Sequence, residues 1–293
     1  MRGRSTAGVM AAVLLAALAL AGCTPEPPAG VDRLLTDDWA KPAQVEGYVP
    51  EAGICIASRP GHYPNRASVL DEIACTANHY GEVVHVGAFT TDARPGPAQL
   101  AAAYTECDAK SKGYLGRFWW EARTQLYVTV PTEAAWAGGA RWFRCDVVEV
   151  FDASKDGVWL GRQGRLKEGI PAALLVGCVS AKKKGRTITE MPEVACTAAH
   201  NAEWVGAFRA SATTAYPASD RQWGVLHRQC RTLVAKFVGV GSSQAGRFAT
   251  IASTSGSASW KAGDRRVRCA IWFDTKTMKK SARGTKGRGL PNF

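Results

Sequence analysis

The chain has 293 residues, a formal net charge of +12, 46 % hydrophobic residues and 9 % aromatic residues. This length and composition exclude a wholly disordered chain and allow two domains with modest cores. The excess of positive charge favours anionic partners, namely acidic polymers, anionic lipid or nucleic acid, and does not choose among them.

The amino terminus has the pattern of an export signal. Arg2 and Arg4 precede an apolar run over residues 7–21, which is shorter than the ~20 residues of a comfortable membrane span. The small residues directly before Cys23 resemble the processing box of bacterial lipoproteins. We therefore predict a signal peptide over residues 1–22 and lipidation of Cys23. The alternative is an ordinary secretory signal in which Cys23 is incidental.

Lipidation would place the mature chain on the extracytoplasmic face of the cell membrane, because several acyl chains on one residue hold a protein at the bilayer. The expected partners are then the membrane, through the lipid anchor, and an anionic cell-wall polymer or another envelope protein. Nucleic acid is not expected as a partner in that location.

The rest of the chain divides into segments of different composition. Five segments are predicted after the signal peptide: a proline-rich tether and spacer (23–46), a first domain (47–151), a polar linker (152–170), a second domain (171–274) and a basic, disordered tail (275–293).

Within the domains, the residue pattern predicts short strands and one main helix each. In the first domain, β-favouring runs predict strands near residue 54 and at 82–89, 126–130 and 144–151, and a helix follows Gly96. In the second domain, Ser219 and Gln222 have the form of a capping box. An apolar stripe follows that is expected to pack on a sheet: Trp223, Leu226, Cys230, Leu233, Val234 and Phe237.

A long internal repeat organises these elements. The ten residues 73–82 return almost unchanged 121 residues later as 194–203, and a Gly-Ala-Phe run follows in both copies. Four cysteines in each copy keep one spacing, since Cys55, Cys75, Cys107 and Cys145 lie 121 to 124 residues before Cys178, Cys196, Cys230 and Cys269. A period this long predicts two whole domains and not a solenoid of short units.

In an oxidising compartment, an even set of cysteines at fixed spacing predicts disulfides before it predicts a metal site. Each domain alone admits three pairings. We favour Cys55 with Cys145, Cys75 with Cys107, Cys178 with Cys269, and Cys196 with Cys230. The reason is that the first and fourth cysteines lie in strand-like stretches that would be sheet neighbours. The predicted fold class is α+β, with two homologous small domains, each an antiparallel sheet with one main helix stapled by two disulfides.

The candidate functional residues are His79 with Glu82 and His200 with Glu203, because these ionisable groups repeat in register beside a cysteine. As a structural pair, the imidazole would hydrogen-bond the carboxylate or a nearby carbonyl, and this is the preferred interpretation. The alternatives are a binding site for a cell-wall fragment or partner, and an acid–base or metal site. A catalytic zinc needs three protein ligands, and His85 would supply a third in the first copy alone.

Other signatures of catalysis do not occur in the sequence, including a nucleophile elbow, a phosphate-binding loop and a zinc-protease motif. We therefore expect no enzyme activity, no cofactor and no metal. Trp136 and Trp260, which match between the copies, are predicted to be core residues. The unmatched cluster of residues 118–120, with Trp119 and Trp120, is the candidate for an exposed contact surface.

These motifs together resemble the septum-formation domain family of actinobacterial membrane-associated and exported proteins. The resemblance rests on a Gly-Cys strand, a Cys-x-x-x-His-x-x-Glu turn, a helix carrying a cysteine, and a Trp-x-x-Gly approach to the last cysteine. It covers two tandem copies and about 200 of the 293 residues. Asn78 and Ala199 replace the proline that usually precedes the histidine, and Ile54 stands where an acidic residue is common.

The resemblance implies a link to septum formation or envelope maintenance and assigns no reaction. The expected function is that of a lipid-anchored binding or scaffolding lipoprotein of the cell envelope. The alternative is a cell-wall-acting enzyme that uses the repeated His/Glu pairs. A third hypothesis, capture of a small ligand, predicts a pocket with apolar walls between the domains.

Overall fold

A computed structural model describes Ala29 and residues 48–59, 71–154, 158–167, 169–185 and 187–293. The predicted signal peptide, the lipidation site Cys23 and, apart from Ala29, the tether of residues 23–46 lie outside the described residues. Among the residues that are described, no helix combines the length and the apolar character that crossing a membrane requires.

The first half of the fold is an antiparallel sheet covered by one long helix. Its strands are β1 (Cys55–Ile56), β2 (Glu72–Ile73), β3 (Gly81–Ala88), β4 (Thr124–Thr129), β5 (Trp142–Val150) and β6 (Trp159–Leu160). The strand order is β2-β1-β3-β5-β4, and β6 pairs with the end of β5. Helix α1 (Pro97–Leu115) packs against β3, β4 and β5, and a short helix α2 (Glu133–Ala137) precedes β5.

The second half repeats this arrangement. A hairpin of β8 (Lys182–Lys184) and β9 (Thr187–Glu190) follows β7 (Cys178–Val179), and the other strands are β10 (Glu193–Val194), β11 (Ala202–Arg209), β12 (Ala249–Thr254) and β13 (Arg266–Trp272). The sheet order β10-β7-β11-β13-β12 matches that of the first half strand for strand. Helix α3 (Asp220–Val238) covers β11, β12 and β13, and α4 (Gly256–Lys261) precedes β13.

The bounds of α3 follow from its sequence. The Ser219 hydroxyl accepts a hydrogen bond from the backbone N–H of Gln222, so the predicted capping box is present. The helix ends at Gly239, whose φ of 84° favours glycine. The predicted stripe lies on the sheet, with Leu226, Cys230 and Val234 buried. The strands and helices predicted from the pattern are therefore confirmed to within a few residues.

The two halves belong to one compact unit, residues 47–293, and charged side chains cross between them. Asp108 on α1 pairs with Arg266 on β13 and lies 3.6 Å from Arg209 on β11. The prediction of two independent domains is thus not confirmed.

The predicted linker is part of the first core. Leu166 and Ile170 pack among the buried residues of the first half, and Leu166 is fully buried. Asp152, at the start of the segment, is buried and accepts a hydrogen bond from the Met191 N–H. The described part of this segment therefore links the two halves, because Leu166 and Ile170 complete one core and Asp152 reaches the other half.

The predicted disorder of the tail is wrong. Ala282 and Leu290 are buried in a cluster at the end of α3. The N–H groups of Gly284 and Lys286 donate to the carbonyls of Phe237 and Val238 at 3.0 and 2.9 Å. The backbone of residues 275–293 is ordered because its few apolar residues close the open end of the second core. The predicted basic character holds at the surface, where all six lysines and arginines of the segment are exposed.

The predicted disulfide pairing is also wrong. The bridges join neighbours along the chain: Cys55 with Cys75, Cys107 with Cys145, Cys178 with Cys196, and Cys230 with Cys269. The prediction assumed that the first and fourth cysteines lie on adjacent strands, whereas β3 separates β1 from β5 and β11 separates β7 from β13. Two strand spacings amount to about 9.5 Å, which exceeds the reach of a disulfide of about 7 Å between Cα atoms.

Candidate functional site

Glu82 is buried at the start of β3, and both of its carboxylate oxygens accept hydrogen bonds. Its Oε1 accepts a hydrogen bond from the Tyr114 hydroxyl at 2.6 Å, and its Oε2 accepts one from the Leu166 N–H at 2.6 Å. Arg162 Nη1 lies 3.7 Å from Oε2. Burial, and next the hydrogen bond to Glu82, raise the pKa of Tyr114, so its hydroxyl stays protonated as a donor. Glu82 therefore fastens a later segment of the chain to the sheet.

His79 fastens the same segment from the other side of the turn. Its backbone N–H donates to the Arg162 carbonyl at 2.9 Å, and the Arg162 N–H donates back at 2.8 Å. The imidazole is buried, and its Nδ1 is 3.0 Å from the Ala77 carbonyl, which can only accept. Nε2 is buried and makes no hydrogen bond to a described residue. The imidazole therefore bonds a nearby carbonyl, a contact that the structural interpretation allowed, and does not bond Glu82.

The second copy repeats this geometry with other side chains. His200 exchanges backbone hydrogen bonds with Met278 at 3.0 and 2.7 Å, and its Nδ1 lies 2.9 Å from the Ala198 carbonyl. Glu203 accepts hydrogen bonds from the Ser281 hydroxyl and from the Ala282 N–H, the latter at 2.7 Å. We call residues 162–166 the first strap and residues 278–282 the second strap.

The straps explain why a histidine and a glutamate recur at this spacing. In each copy the histidine holds the start of the strap through its backbone, and the glutamate holds the end through a backbone N–H. Each oxygen of the two buried carboxylates accepts a hydrogen bond from an internal donor, which is the arrangement of a structural clamp.

Two clusters of potential metal ligands occur at these clamps within the described residues. One consists of Cys55, His79 and Glu82, and the other of Cys178, Cys196 and Glu203. Every one of the three cysteines is in a disulfide, and the ligand that metals take from cysteine is the thiolate. The predicted third ligand does not join the first cluster, because His85 Nε2 pairs with Glu106 Oε1 on α1 at 2.7 Å.

The arginine directly before the last cysteine of each half makes different contacts in the two halves. Arg144 on β5 pairs with Asp146 of the same strand, with 2.9 Å between Nε and Oδ1. Arg268 on β13 reaches across to the first half, where it donates to the carbonyls of Ala122, Ala153 and Thr124, the last at 2.6 Å. Burial lowers the pKa of Arg268 to about 10, so the guanidinium remains charged at neutral pH.

Trp119 packs under this guanidinium and is not an exposed contact residue. It is 1 % exposed, its ring centroid is 5.2 Å from Arg268 Cζ, and its Nε1 donates to Asp108 Oδ1 at 2.8 Å. The prediction of an exposed surface at residues 118–120 is therefore wrong for Trp119, because Arg268 and Asp108 bury it at the contact between the halves. Trp120 is half-buried and stacks on Phe118 with 4.9 Å between ring centroids. Trp136 and Trp260 are buried, as predicted.

A cleft opens beside this contact between the two halves. Its volume is about 350 Å³. One wall is formed by the chain around the 3-10 turn at Trp119–Glu121, and the opposite wall by β11 and by Arg283, which directly follows the second strap. The lining residues are Arg117, Trp120, Glu121, Leu175, Val176, Trp204, Val205, Gly206, Arg268 and Arg283. We call this space the inter-half cleft.

Glu193 supports one wall of the cleft from behind. Its carboxylate accepts hydrogen bonds from the Trp204 indole N–H and from the Gly177 N–H, both at 3.0 Å. Burial raises the pKa of Glu193 to about 7, although both hydrogen bonds favour the charged form. Glu193 thus fixes the indole that lines the cleft.

Sequence reasoning singled out the clamp residues by number, and of the cleft it predicted only a pocket with apolar walls between the domains, without the residues that line it. The repeat indicated His79, Glu82 and their copies because both halves need the same clamp. Arg117 and Trp204 have no such signal, since each occurs in one half alone. Only the contact between the halves brings them together, and no spacing within either copy encodes that contact.

A known protein family matches most of this chain. A family model described as septum formation matches residues 49–269, in a single match that runs through both halves. Neither the comparison with curated proteins nor the comparison with solved structures gives a match.

Proposed function

This chain belongs to the septum-formation family, and from that premise we propose that it is a lipid-anchored, extracytoplasmic binding protein of the cell envelope. The observation that carries binding over catalysis is the state of the repeated His/Glu pairs. Glu82 and Glu203 are both buried and both occupied by internal donors. The inter-half cleft, in contrast, is open, and among its lining side chains Arg117 is only weakly engaged within the protein.

The four disulfides support a location outside the cytoplasm, because such bridges persist in oxidising compartments. Pairing of the eight described cysteines leaves Cys23 as the remaining one of nine, which fits its proposed role as the lipid attachment site. We further propose that the halves are tandem copies of one ancestral unit, since strand order, bridges and clamps correspond between them.

The surface charge supports an anionic partner. The net charge is +12, and the second strap and its flanks display six exposed cations without an acid: Lys276, Lys279, Lys280, Arg283, Lys286 and Arg288. An ordered backbone presents these cations in a fixed pattern, so an anionic polymer would meet a preformed surface and lose less conformational entropy on one side of the contact.

Anchoring is tested with the full chain expressed in a bacterial host that processes lipoproteins. The expected result is incorporation of labelled palmitate and recovery in the membrane fraction, both lost in Cys23→Ala. Recovery of Cys23→Ala in the membrane fraction with unchanged labelling would contradict the proposed anchor.

Binding is tested by co-sedimentation of the mature chain with purified cell walls at low and high salt. We expect binding that weakens at high salt and weakens in Lys279→Ala/Lys280→Ala, but not in the control Arg221→Ala/Arg228→Ala, whose exposed arginines lie on α3. Release of wall fragments that disappears in His79→Ala/His200→Ala would instead establish an enzyme.

A further inference from the structure

The inter-half cleft combines apolar walls with cations at its edge. Leu175, Val176 and Val205 supply apolar surface, and Trp204 closes one side. Its volume of about 350 Å³ falls within the range of small-molecule sites, roughly 300 to 1,000 Å³. A ligand of that size with an apolar body would displace water from these walls, which is favourable in proportion to the apolar area covered.

The shape of the cleft depends on Gly206. A bulge between Trp204 and Gly206 interrupts the pairing of β11 with β13, and Gly206 has a φ of 144°, which favours glycine. The structurally matching position in the first half is His85, since His85 and Gly206 stand opposite the matched Cys145 and Cys269. The second half therefore has an open wall where the first half has an imidazole.

Arg117 and Arg283 line the cleft from opposite halves and are only weakly engaged within the protein. Arg117 Nη1 is 3.9 Å from Glu121 Oε2, at the outer limit of an ion pair, and its side chain is 39 % exposed. Arg283 lies over the Phe237 ring at 4.3 Å from the centroid, which orients its guanidinium without using its donors. Both guanidinium groups are thus placed to donate to a ligand.

The residues that line the cleft give it an excess of positive charge. Three arginines and one glutamate line it. Arg268 directs its donors to carbonyls of the first half, so it contributes positive charge rather than hydrogen bonds. A guanidinium pair recognises an oxyanion by charge-assisted hydrogen bonds, which are roughly twice as strong as neutral ones.

We propose that the inter-half cleft is a binding site for a small organic anion, with its carboxylate or phosphate between Arg117 and Arg283 and its apolar body against Val176 and Val205. This inference rests on the binding role proposed above and names its site and ligand class. The cleft requires both halves, since Arg117 follows the C-terminal cap of α1 and Arg283 directly follows the second strap.

The test uses the soluble mature chain, so its outcome is separate from anchoring and from cell-wall binding. The probe is 8-anilinonaphthalene-1-sulfonate, a fluorescent anion with an aromatic body, and N-phenyl-1-naphthylamine is the neutral comparator without the sulfonate. We expect saturable binding of the anion at one site, weakened at least tenfold in Arg117→Ala/Arg283→Ala. Binding of the neutral comparator should be unchanged in that variant.

The matched control is Arg221→Ala/Arg228→Ala, which removes the same charge from the exposed face of α3 and should leave the affinity of the anion unchanged. Near-ultraviolet circular dichroism checks that each variant keeps its packed tryptophans. A second variant, Val176→Trp, fills the cleft without altering charge and should weaken both probes. Equal affinity of the anion for the parent chain and for Arg117→Ala/Arg283→Ala would overturn the proposal.

Competition identifies the head group. Octanoate and octyl phosphate carry the same apolar chain on a carboxylate and on a phosphate, so the tighter competitor indicates which anion the two arginines favour. Failure of both to displace the fluorescent anion at millimolar concentration would also overturn the proposal.

Discussion

The two halves of the molecule share a scaffold and differ where they meet. Each has the same strand order, one disulfide from β1 or β7 to the turn after β2 or β10, and one from the long helix to β5 or β13. Each closes its core with a strap held by a buried glutamate. The contact between the halves is not symmetric, because Arg144 bonds within its own strand and Arg268 crosses to the other half.

This difference separates two kinds of residue. Residues that match between the halves stabilise the fold of each half. Residues that differ between the halves lie where a ligand could bind. The repeated glutamates are internal clamps. Arg117, Arg283 and Gly206, which have no identical residue at the matching position of the other half, form part of the surface available to a ligand.

The largest expected effect is the loss of stability in Arg268→Ala, which removes the arginine that reaches from β13 to the first half. Arg268→Ala leaves three carbonyls of the first half without their charged donor, each at a cost of about 1 to 3 kcal/mol. We expect a loss of about 4 kcal/mol in the free energy of unfolding, measured by urea denaturation. Hydrogen exchange should accelerate at the contact in both halves.

Arg144→Ala is the matched control for that prediction. It leaves buried Asp146 unpaired and should also destabilise by about 3 kcal/mol, but faster exchange should stay within the first sheet. Faster exchange confined to the second half in Arg268→Ala would contradict the role assigned to the crossing contact.

The matched disulfides should have nearly equal effects. Removing Cys55–Cys75 or Cys178–Cys196 by double alanine substitution opens loops with sequence separations of 20 and 18 residues, and loop entropy gives about 3 kcal/mol for each. Urea denaturation of the two variants measures this. A difference above ~2 kcal/mol would show that the two turns do not serve the same purpose.

The two clamps should differ in strength. Glu82→Gln disturbs the hydrogen bonds from Tyr114 and Leu166 and removes the charge beside Arg162, so we expect a loss of about 3 kcal/mol. Within the described residues, no arginine forms an ion pair with Glu203. Glu203→Gln therefore leaves no cation unpaired there and should lower the free energy of unfolding by about 2 kcal/mol. Hydrogen exchange should speed up at Leu166 in the first variant and at Ala282 in the second, and the reverse assignment would exclude the strap interpretation.

The smallest expected effect is a change in how the stability of the fold depends on pH. Because burial raises the pKa of Glu193 from 4.5 to about 7, the folded chain binds more protons than the unfolded chain between these values. This contribution to stability is fully present below about pH 4.5 and is lost as pH rises through about 7. We expect Glu193→Gln to reduce the fall in stability between pH 5 and pH 8 by about 2 kcal/mol.

Glu72 offers the control, since it stands at the matching position of β2 and is exposed. Urea denaturation of Glu72→Gln at pH 5 and pH 8 should show the same fall as the parent chain. An unchanged fall in Glu193→Gln would mean that this carboxyl does not control the pH dependence.

Much of the fold was predictable from the sequence, because its signals are local. The capping box at Ser219, the helix after Gly96 and the valine-rich strand β3 each depend on neighbours in the chain. The pairing of Cys55 failed for the opposite reason, since it depends on strand order, and the insertion of β3 between β1 and β5 has no local signal.

The straps and the residues that line the cleft were missed for related reasons. Leu166 and Ala282 lie in stretches whose composition is polar or basic, and their burial depends on a carboxylate 84 and 79 residues away. The repeated Gly-Ala-Phe run also suggests that Gly87 and Gly206 occupy matching positions. In the sheets they do not, because Gly87 stands opposite Phe143 whereas Gly206 stands opposite Cys269. Register across the sheet, which sequence matching does not see, decides which residues correspond.

The affinity for 8-anilinonaphthalene-1-sulfonate in two double variants tests the division between clamp and cleft most directly. Titrations are run at a temperature where circular dichroism shows both variants folded. We predict that Glu82→Gln/Glu203→Gln binds with the dissociation constant of the parent chain and that Arg117→Ala/Arg283→Ala binds at least tenfold more weakly. Weaker binding in the glutamate variant together with unchanged binding in the arginine variant would contradict the account.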